Sequence, residues 1–336
     1  MATGHAPENE MNAALPLLFA LIVLWLLVKR LTIGYTVDVS ATIEAPQAHV
    51  DVMIGDFEHW LQWNPWLMQE PDAQITLVSP DAIGGEYRWQ GRLIGAGVIR
   101  HLSRAPAHQF NMALSFLRPF KAHSRLVFVT TALDDQRTEV RWKMQGRLPL
   151  MMAPMRTWMS KMLAVDFELG LARLGGYANP QSPHPVITFG EREDRASFHA
   201  LASSHHTSLT HLPEVVGPAF EALVAIANGA ISDAPIAVYH RIDGKSNSVE
   251  MEATLPVEET TPGAVLIRGG YYFKTVLQGD YQFLKVAWHA AYGQARMRKY
   301  KWDSSSPALE RYVIGRAQSN NSNDWVTELY IPIKES

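Results

Sequence analysis

Two short stretches of this chain share one pattern: Glu252–Val257 reads EATLPV, and Glu328–Ile333 reads ELYIPI. The common form E-x-x-[LI]-P-[VI] recurs after 76 residues, each time at the end of a strand-like run. A proline fits the end or the edge of a strand better than the middle of a ladder. Recurrence of such a pattern within one chain predicts an internal structural repeat.

The hydrophobic pattern of the residues before each stretch predicts a βαββ unit, and the stretch forms the end of the last strand of that unit. The first copy has predicted strands at 198–206, 236–242 and 248–257 and a predicted helix at 213–228. The second has predicted strands at 265–278, 309–315 and 325–333 and a predicted helix at 280–299. A tyrosine, Tyr239 or Tyr312, lies in the strand before each stretch. We therefore expect a pseudo-twofold sheet with helices on one side.

The preceding part of the chain predicts a second sheet and one long helix. Alternating apolar residues predict strands at 33–43, 74–78, 85–90, 93–102, 108–116, 122–133 and 137–147. A helix is predicted from Pro154 to Leu174, with an apolar face of Met155, Trp158, Met159, Met162 and Leu169. The expected fold class is α+β. The expected divisions are a domain at 31–177, a proline-rich linker at 178–196 and a domain at 197–336.

Composition narrows the classes of function. The chain has 336 residues, of which 47% are hydrophobic, which suits two domains with their own cores. A net charge of −3 gives no reason to expect a nucleic-acid partner. With no cysteine, disulfides, thiolate zinc sites and cysteine nucleophiles are excluded. The histidines at 199, 205, 206 and 211 lack metal-site spacing, so we expect no metal and no cofactor.

Near the start of the chain, residues 13–28 read AALPLLFALIVLWLLV, without a charged side chain. This predicts a single transmembrane helix at 13–30 after a polar tail at 1–12. Lys29 and Arg30 lie on its C-terminal side. By the positive-inside rule we expect the N-terminus outside and the later domains in the cytoplasm. The expected location is the plasma (inner) membrane, where the helix contacts membrane lipid. A buried core helix and a cleaved signal peptide are the alternatives.

The first domain is rich in aromatic residues and carries a group of recognisable motifs. Trp63, Trp66, Tyr87 and Trp89 are candidates to line an apolar ligand pocket, and filling of the core is the alternative. The motifs are Trp63-Asn64-Pro65-Trp66, Pro71-Asp72, Gly84-Gly85-x-Tyr87-x-Trp89-x-Gly91 and Gly95-Ala96-Gly97. Over about 33–176 this set resembles the polyketide cyclase/dehydrase branch of the START-like (SRPBCC) superfamily. The resemblance implies a helix-grip fold around a hydrophobic cavity and no single activity.

In the second domain Glu328 is the acid of interest, either as a solvated strand residue or as a pocket acid. The matching motifs are Tyr239-His240, Glu252–Val257, Gly279-x-Tyr281, Trp288, Tyr312 and Trp325-x-x-Glu328-x-x-Ile331-Pro332. Over about 197–333 they resemble the GyrI-like small-molecule-binding domains, which include effector-binding parts of multidrug-responsive regulators. The resemblance implies Glu328 as the central acid of a cleft. Its implied ligand-binding neighbours are Tyr281, Tyr312, Trp325 and Trp288.

These features together predict a non-enzymatic, membrane-anchored binding protein for small hydrophobic or amphipathic molecules. Aromatic walls around an acid favour a cationic aromatic ligand. Two other classes stay open from the sequence. One is a hydrolase in which Glu328 activates a water molecule. The other is an accessory subunit of a larger complex, with a membrane-protein partner.

Overall fold

We describe the protein from a computed structural model, which covers residues 31–119 and 121–335. This part of the chain is an α+β protein with two antiparallel sheets, so the predicted fold class is confirmed. The predicted tail at 1–12 and transmembrane helix at 13–30 lie outside the described residues. Of the helices that are described, none combines the length and the apolar character needed to cross a bilayer.

The elements follow the predicted order closely. The helices are α1 Gln47–Gly55, α2 Trp60–Trp63, α3 Arg156–Ala178, α4 Leu212–Ala227 and α5 Leu284–Met297. Short 3-10 turns are Leu67–Gln69, Leu150–Met155, Tyr281–Phe283 and Ser322–Asp324. The first sheet contains β1 Thr32–Ile43, β2 Gln74–Val78, β3 Glu86–Gln90, β4 Ala96–Ser103, β5 Gln109–Arg118, β6 Ala122–Ala132 and β7 Thr138–Pro149. The second contains β8 Val186–Arg195, β9 Phe198–Ser208, β10 Ile236–Asp243, β11 Ser248–Pro256, β12 Val265–Ile267, β13 Gly270–Gln278, β14 Ala308–Ile314 and β15 Val326–Pro332.

The first sheet is an antiparallel meander with β1 added beside β7. Its strand order is β1-β7-β6-β5-β4-β3-β2. The β1–β7 ladder runs without a break from Thr32 opposite Pro149 to Ile43 opposite Thr138. Along β7 the buried residues alternate, with Val140, Trp142 and Met144 facing the core. This alternation buries one face of the sheet beneath the helices, as the sequence pattern predicts.

Only part of the predicted apolar face of the long helix α3 is buried: Leu169 is fully buried, and Met159 and Met162 are half-buried. Met155 and Trp158 are 48% and 50% exposed, whereas Phe167, Leu171 and Leu174 are fully buried. The C-terminal half of α3 therefore packs in the core, and its first turns carry apolar side chains at the surface. Helical periodicity identifies side chains that share a face, but it does not identify which turns of that face have a partner.

The second sheet contains the predicted repeat. Its strand order is β12-β9-β11-β10-β14-β15-β13-β8. The first unit supplies β9-β11-β10, and the second supplies the equivalent strands in the reverse order, β14-β15-β13. The two units meet where β10 pairs with β14, and Ala237 lies opposite Glu310. Tyr239 pairs with Met251 in one unit, and Tyr312 pairs with Thr327 in the other. This equivalence places the pseudo-twofold axis next to the Ala237–Glu310 pair.

The predicted linker at 178–196 is shorter in the structure. Its second half, Val186–Arg195, forms β8 and pairs with β13 from Val186 opposite Gln278 to Arg195 opposite Gly270. The prolines explain the error, because they mark Pro180–Pro185 as irregular but do not show where the following strand begins.

The predicted strand at 265–278 is divided into β12 and β13, and the division closes the sheet on itself. Ile267 pairs with Phe198 of β9, and Gly270 pairs with Arg195 of β8. Because β8 leads into β9 and β12 leads into β13, these two ladders share one register on either side of a break at 196–197 and 268–269, and together they join the two edges of the sheet. Gly269 lies between β12 and β13, where an added Cβ would overlap the carbonyl oxygen of Arg195.

The two halves pack together through α3 and α5. Leu169 of α3 is fully buried against Val286 and Ala290 of α5. Beside this apolar contact, Asp166 Oδ1 lies 2.8 Å from His289 Nε2, and Glu168 Oε2 lies 2.6 Å from Lys285 Nζ. The helix α5 therefore contacts the first half on one side and the second sheet on the other.

Candidate functional site

Glu310 is a buried acid at the centre of the second sheet. It lies in the middle of β14, where Ala308, Glu310 and Tyr312 point to the face that carries α4 and α5. Leu309 and Arg311 point to the opposite face by the same alternation. The Glu310 residue is only 4% exposed.

Three aromatic side chains donate hydrogen bonds to this carboxylate. The hydroxyls of Tyr239 and Tyr312 donate to Oε2 over 2.8 and 2.5 Å. The indole Nε1 of Trp288 donates to Oε1 over 2.5 Å. All three donors are neutral, and no ion pair to Glu310 is formed by any residue within 31–119 and 121–335. The site therefore holds a buried negative charge that hydrogen bonds stabilise but no cation neutralises.

The two tyrosines stay protonated beside the acid. Burial raises the pKa of Tyr239 well above its usual value, and the charge of Glu310 raises it further. The pKa of Tyr312 is raised for the same two reasons, in the same order. Both phenols therefore remain hydrogen-bond donors across the physiological range.

Further aromatic rings extend the site towards the surface. Tyr281 meets Tyr312 edge-on, with ring centroids 5.5 Å apart, and lies 4.7 Å from the Trp325 ring. Phe220 of α4 meets Tyr312 on another side at 5.4 Å. Phe220, Tyr281, Tyr312 and Trp288 are each half-buried, so rings are accessible at the rim. We call Glu310, Tyr239, Tyr312, Trp288, Tyr281, Trp325 and Phe220 the Glu310 site.

Glu328, the acid implied by the sequence, lies on the other face of the sheet. Its carboxylate pairs with Lys274 Nζ at 2.6 Å and with Arg311 Nη1 at 2.7 Å, and Tyr330 also donates to it. Burial raises the pKa of Glu328, but the hydrogen bonds from these three groups outweigh it and lower the pKa overall. A carboxylate stabilised as an anion in this way is a weak general base, which disfavours the hydrolase role considered for it.

The structure thus brings together four of the five residues implied for the second domain. Tyr281, Tyr312, Trp325 and Trp288 belong to the Glu310 site, and Glu328 does not. Sequence reasoning missed Glu310 itself. A signal was available, because Glu310 precedes Tyr312 by two positions and so shares its face of a strand.

In the first domain the four candidate aromatics differ in burial. Trp63 and Tyr87 are buried within the core, at 0% and 2% exposure. Trp142 packs between Trp63 at 5.8 Å and Phe167 at 4.1 Å, the latter with parallel rings. Aromatic side chains therefore occupy this part of the predicted pocket, as in the core-filling alternative. The other two are half-buried: Trp66 donates to Asp166, and Trp89 packs against Phe116.

Two surface cavities lie beside α3. One, of about 430 Å³, lies between β1 and the first turns of α3 and is lined by Tyr35, Arg156 and Lys161. The other, of about 470 Å³, lies between α3 and α5 and is lined by Tyr292 and Trp302 among others. The rings of Trp288, Tyr292 and Trp302 stack in series at 5.5 and 4.8 Å. This stack connects Glu310 to the second cavity.

Two of the four histidines at 199, 205, 206 and 211 form hydrogen bonds with neighbouring serines. His205 Nε2 lies 3.0 Å from Ser203 Oγ, and His211 Nδ1 lies 2.8 Å from Ser208 Oγ. Within the described part of the chain, no group of three His, Asp or Glu side chains is placed to hold a metal ion.

No protein-family model matches this chain, and no curated protein matches it. Solved structures are similar to parts of it. The crystal structure of the EcmrR C-terminal domain is 13% identical, covers 46% of this chain and 99% of its own, and has a TM-score of 0.37. A solution structure from Thermobifida fusca is 21% identical, with coverages of 43% and 95% and a TM-score of 0.34. A cryo-EM structure of an EcmrR–DNA complex is 14% identical, with coverages of 55% and 72% and a TM-score of 0.36.

Proposed function

We propose that this protein binds small cationic amphipathic molecules, with Glu310 as the counter-charge. The observation that carries the proposal is the burial of this carboxylate among neutral donors, at 4% exposure. A buried anion without a cation is costly, and a positively charged ligand would offset that cost. The site would then be completed by its ligand.

The aromatic rim supports the same class of ligand. Tyr281, Tyr312 and Phe220 pack edge-on against one another and are each only half-buried, so that the exposed parts of these rings could contact an apolar body, and aromatic ring faces attract a cation. Ligand sites commonly combine apolar walls with a few fixed polar groups. Here the polar groups are one carboxylate and three donors that hold its orientation.

A pair of probe ions with the same shape and opposite charge tests the proposal. Tetraphenylphosphonium and tetraphenylborate are titrated separately into the intact protein, and heat is measured. We expect saturable binding of the cation, and at least ~10-fold weaker binding of the anion, because roughly 1.4 kcal/mol corresponds to tenfold. Equal affinities, or a preference for the anion, would contradict the proposal.

The predicted transmembrane helix at 13–30 would locate this binding activity at the membrane. A tether at the membrane would hold the Glu310 site where amphipathic cations concentrate. Alkaline carbonate washing of membranes from an expressing cell tests the tether. The chain should stay in the membrane fraction, and its release into the supernatant would contradict the tether without affecting the ligand proposal.

A further inference from the structure

One end of the first sheet brings together the beginning of β1, the end of β7 and the tip of the β5–β6 hairpin. Thr32 pairs with Pro149 at this end, and Ser124 of β6 pairs with Gly146 of β7. Phe116 pairs with Ala122 just before the hairpin tip. The 3-10 turn Leu150–Met155 and the first turns of α3 follow directly from β7. We call the surface formed by 31–37, 115–119, 121–124 and 145–161 the β1 end.

Large apolar side chains are exposed at the β1 end. Leu31, Leu117, Met151, Met155 and Trp158 have exposures of 53%, 50%, 65%, 48% and 50%. Met155 and Trp158 are three residues apart where the 3-10 turn runs into α3, which places them close together, and Met151 lies at the start of the same turn. The guanidinium of Arg296 of α5 lies 5.8 Å from the Trp158 ring, which adds a cation beside this group. Clustered apolar exposure of this kind marks an interaction surface.

The charges at the β1 end have one sign. Arg118, Lys121, Arg147, Arg156 and Lys161 are all exposed, and none of them forms an ion pair with a described residue. The sequence has no Asp or Glu within 87–133 or 140–165. The acid nearest to this surface along β1 is Asp38, which lines the same cavity as Arg156 and Lys161 and pairs with Arg141. By contrast, Asp134 and Asp135 lie in the hairpin at the opposite end of the sheet. Exposed apolar groups among unpaired cations complement an anionic lipid surface.

The position of the predicted membrane segment along the chain also favours a lipid surface as the partner of the β1 end. Leu31, the first described residue, accepts a 2.9 Å backbone hydrogen bond from Leu150. The apolar segment at 13–28, followed by Lys29 and Arg30, therefore joins the folded domain at this end. A tryptophan and long cationic side chains beside a membrane segment suit the headgroup region of a bilayer.

We propose that the β1 end docks on the surface of an anionic bilayer, with Leu117, Met151 and Trp158 entering the interface. This inference rests on the predicted tether for its orientation and goes beyond it. The tether alone would leave the domain free to turn in water, whereas docking fixes one end of the sheet against the lipid. The Glu310 site plays no part in it.

The chain has no cysteine, so single spin labels can be placed on the full-length protein. Leu117→Cys labels the β1 end, and Leu133→Cys labels the opposite end of the sheet as a matched control, because both leucines are 50% exposed. Met151→Cys is a second label at the β1 end. Each labelled protein is placed in phosphatidylcholine/phosphatidylglycerol nanodiscs, and collisions with oxygen and with a water-soluble nickel chelate are measured.

We expect labels at 117 and 151 to collide more with oxygen and several-fold less with nickel than the label at 133. Equal accessibility at all three positions, with the protein still in the disc fraction, would overturn docking and leave the tether intact. If the protein leaves the disc fraction, the tether is wrong, and docking is then measured on phosphatidylglycerol-containing vesicles with the same three labels. Equal accessibility on the vesicles would also overturn it.

Discussion

Tyr239 and Tyr312 occupy equivalent positions in the two copies of the repeat, and both donate a hydrogen bond to the same oxygen of Glu310. The repeat therefore supplies two donors, related by the pseudo-twofold axis, to one acid beside that axis. The acid itself has no equivalent, because Ala237 occupies the matching position in β10. The two copies of the repeat are therefore alike in their tyrosines, but only the second copy supplies the acid.

Replacement of Tyr239 by Phe should destabilise the protein. The change removes a hydrogen bond to a buried carboxylate, and such bonds contribute about 1.5–3 kcal/mol. Tyr271→Phe is the control, because that hydroxyl binds Glu335 at the surface, and its loss should cost less than ~0.5 kcal/mol. Urea unfolding measures both. Equal costs for the two variants would show that Tyr239 does not stabilise the acid.

Glu328→Gln should reduce stability by about 1–3 kcal/mol at neutral pH. It leaves Lys274 and Arg311 without their shared carboxylate partner. The pKa of Glu328 is lowered on folding, so its contribution is full above its unfolded pKa and is lost as pH falls through the folded value. The difference between wild type and variant in urea unfolding should therefore shrink on acidification below pH ~4.5. A difference that is independent of pH would contradict the ion-pair role.

His101 should remain neutral down to strongly acidic pH. Burial lowers its pKa to about 4, and the nearby Arg104 adds to the effect, while its ring stacks on Phe57 at 4.0 Å. Between pH ~6.5 and about 4 the unfolded chain takes up a proton here and the folded chain does not, so folding weakens by up to roughly 3 kcal/mol as pH falls. NMR titration measures this, with the signal assigned by its loss in His101→Gln. A midpoint near 6.5 would contradict the buried, neutral state.

Asp166→Ala should loosen the contact between the two halves. Asp166 accepts from Trp66 of the first half and pairs with His289 of α5. We expect faster proteolysis between Asn179 and Pro185 and a loss of about 1–2 kcal/mol. Asp134→Ala is the control, since its ion pair with Arg137 is exposed and should contribute less than ~0.5 kcal/mol. Equal protease resistance of wild type and Asp166→Ala would contradict a bridging role.

Much of the fold could be predicted from sequence, because strand alternation and the repeated E-x-x-[LI]-P-[VI] pattern are local. The site was harder to predict, because it depends on pairing across strands. Glu328 stands in the repeated pattern and attracts attention, yet alternation places it beside Lys274 and Arg311 on the face away from the helices. The position of Glu310 at the axis follows only from the β10–β14 register, which no local pattern encodes.

The exposed residues where the 3-10 turn Leu150–Met155 runs into α3 illustrate the same limit. Met155 and Trp158 have the spacing of a core-facing stripe, and they would be buried if the sheet extended beneath them. Periodicity cannot report whether a partner is present, so a surface stripe and a core stripe have the same pattern. Whether a partner surface covers these side chains decides if they stabilise the fold or remain free to contact another surface.

Calorimetric titration of tetraphenylphosphonium into Glu310→Gln and Glu328→Gln tests whether Glu310 is the counter-charge of the bound cation. The two variants remove the same charge, one from the Glu310 site and one from the opposite face of the sheet. We expect Glu310→Gln to remain folded and to lose roughly 10- to 100-fold in affinity, which corresponds to about 1.5–3 kcal/mol, while Glu328→Gln binds as wild type does. Unchanged binding by Glu310→Gln, or a loss confined to Glu328→Gln, would contradict the account.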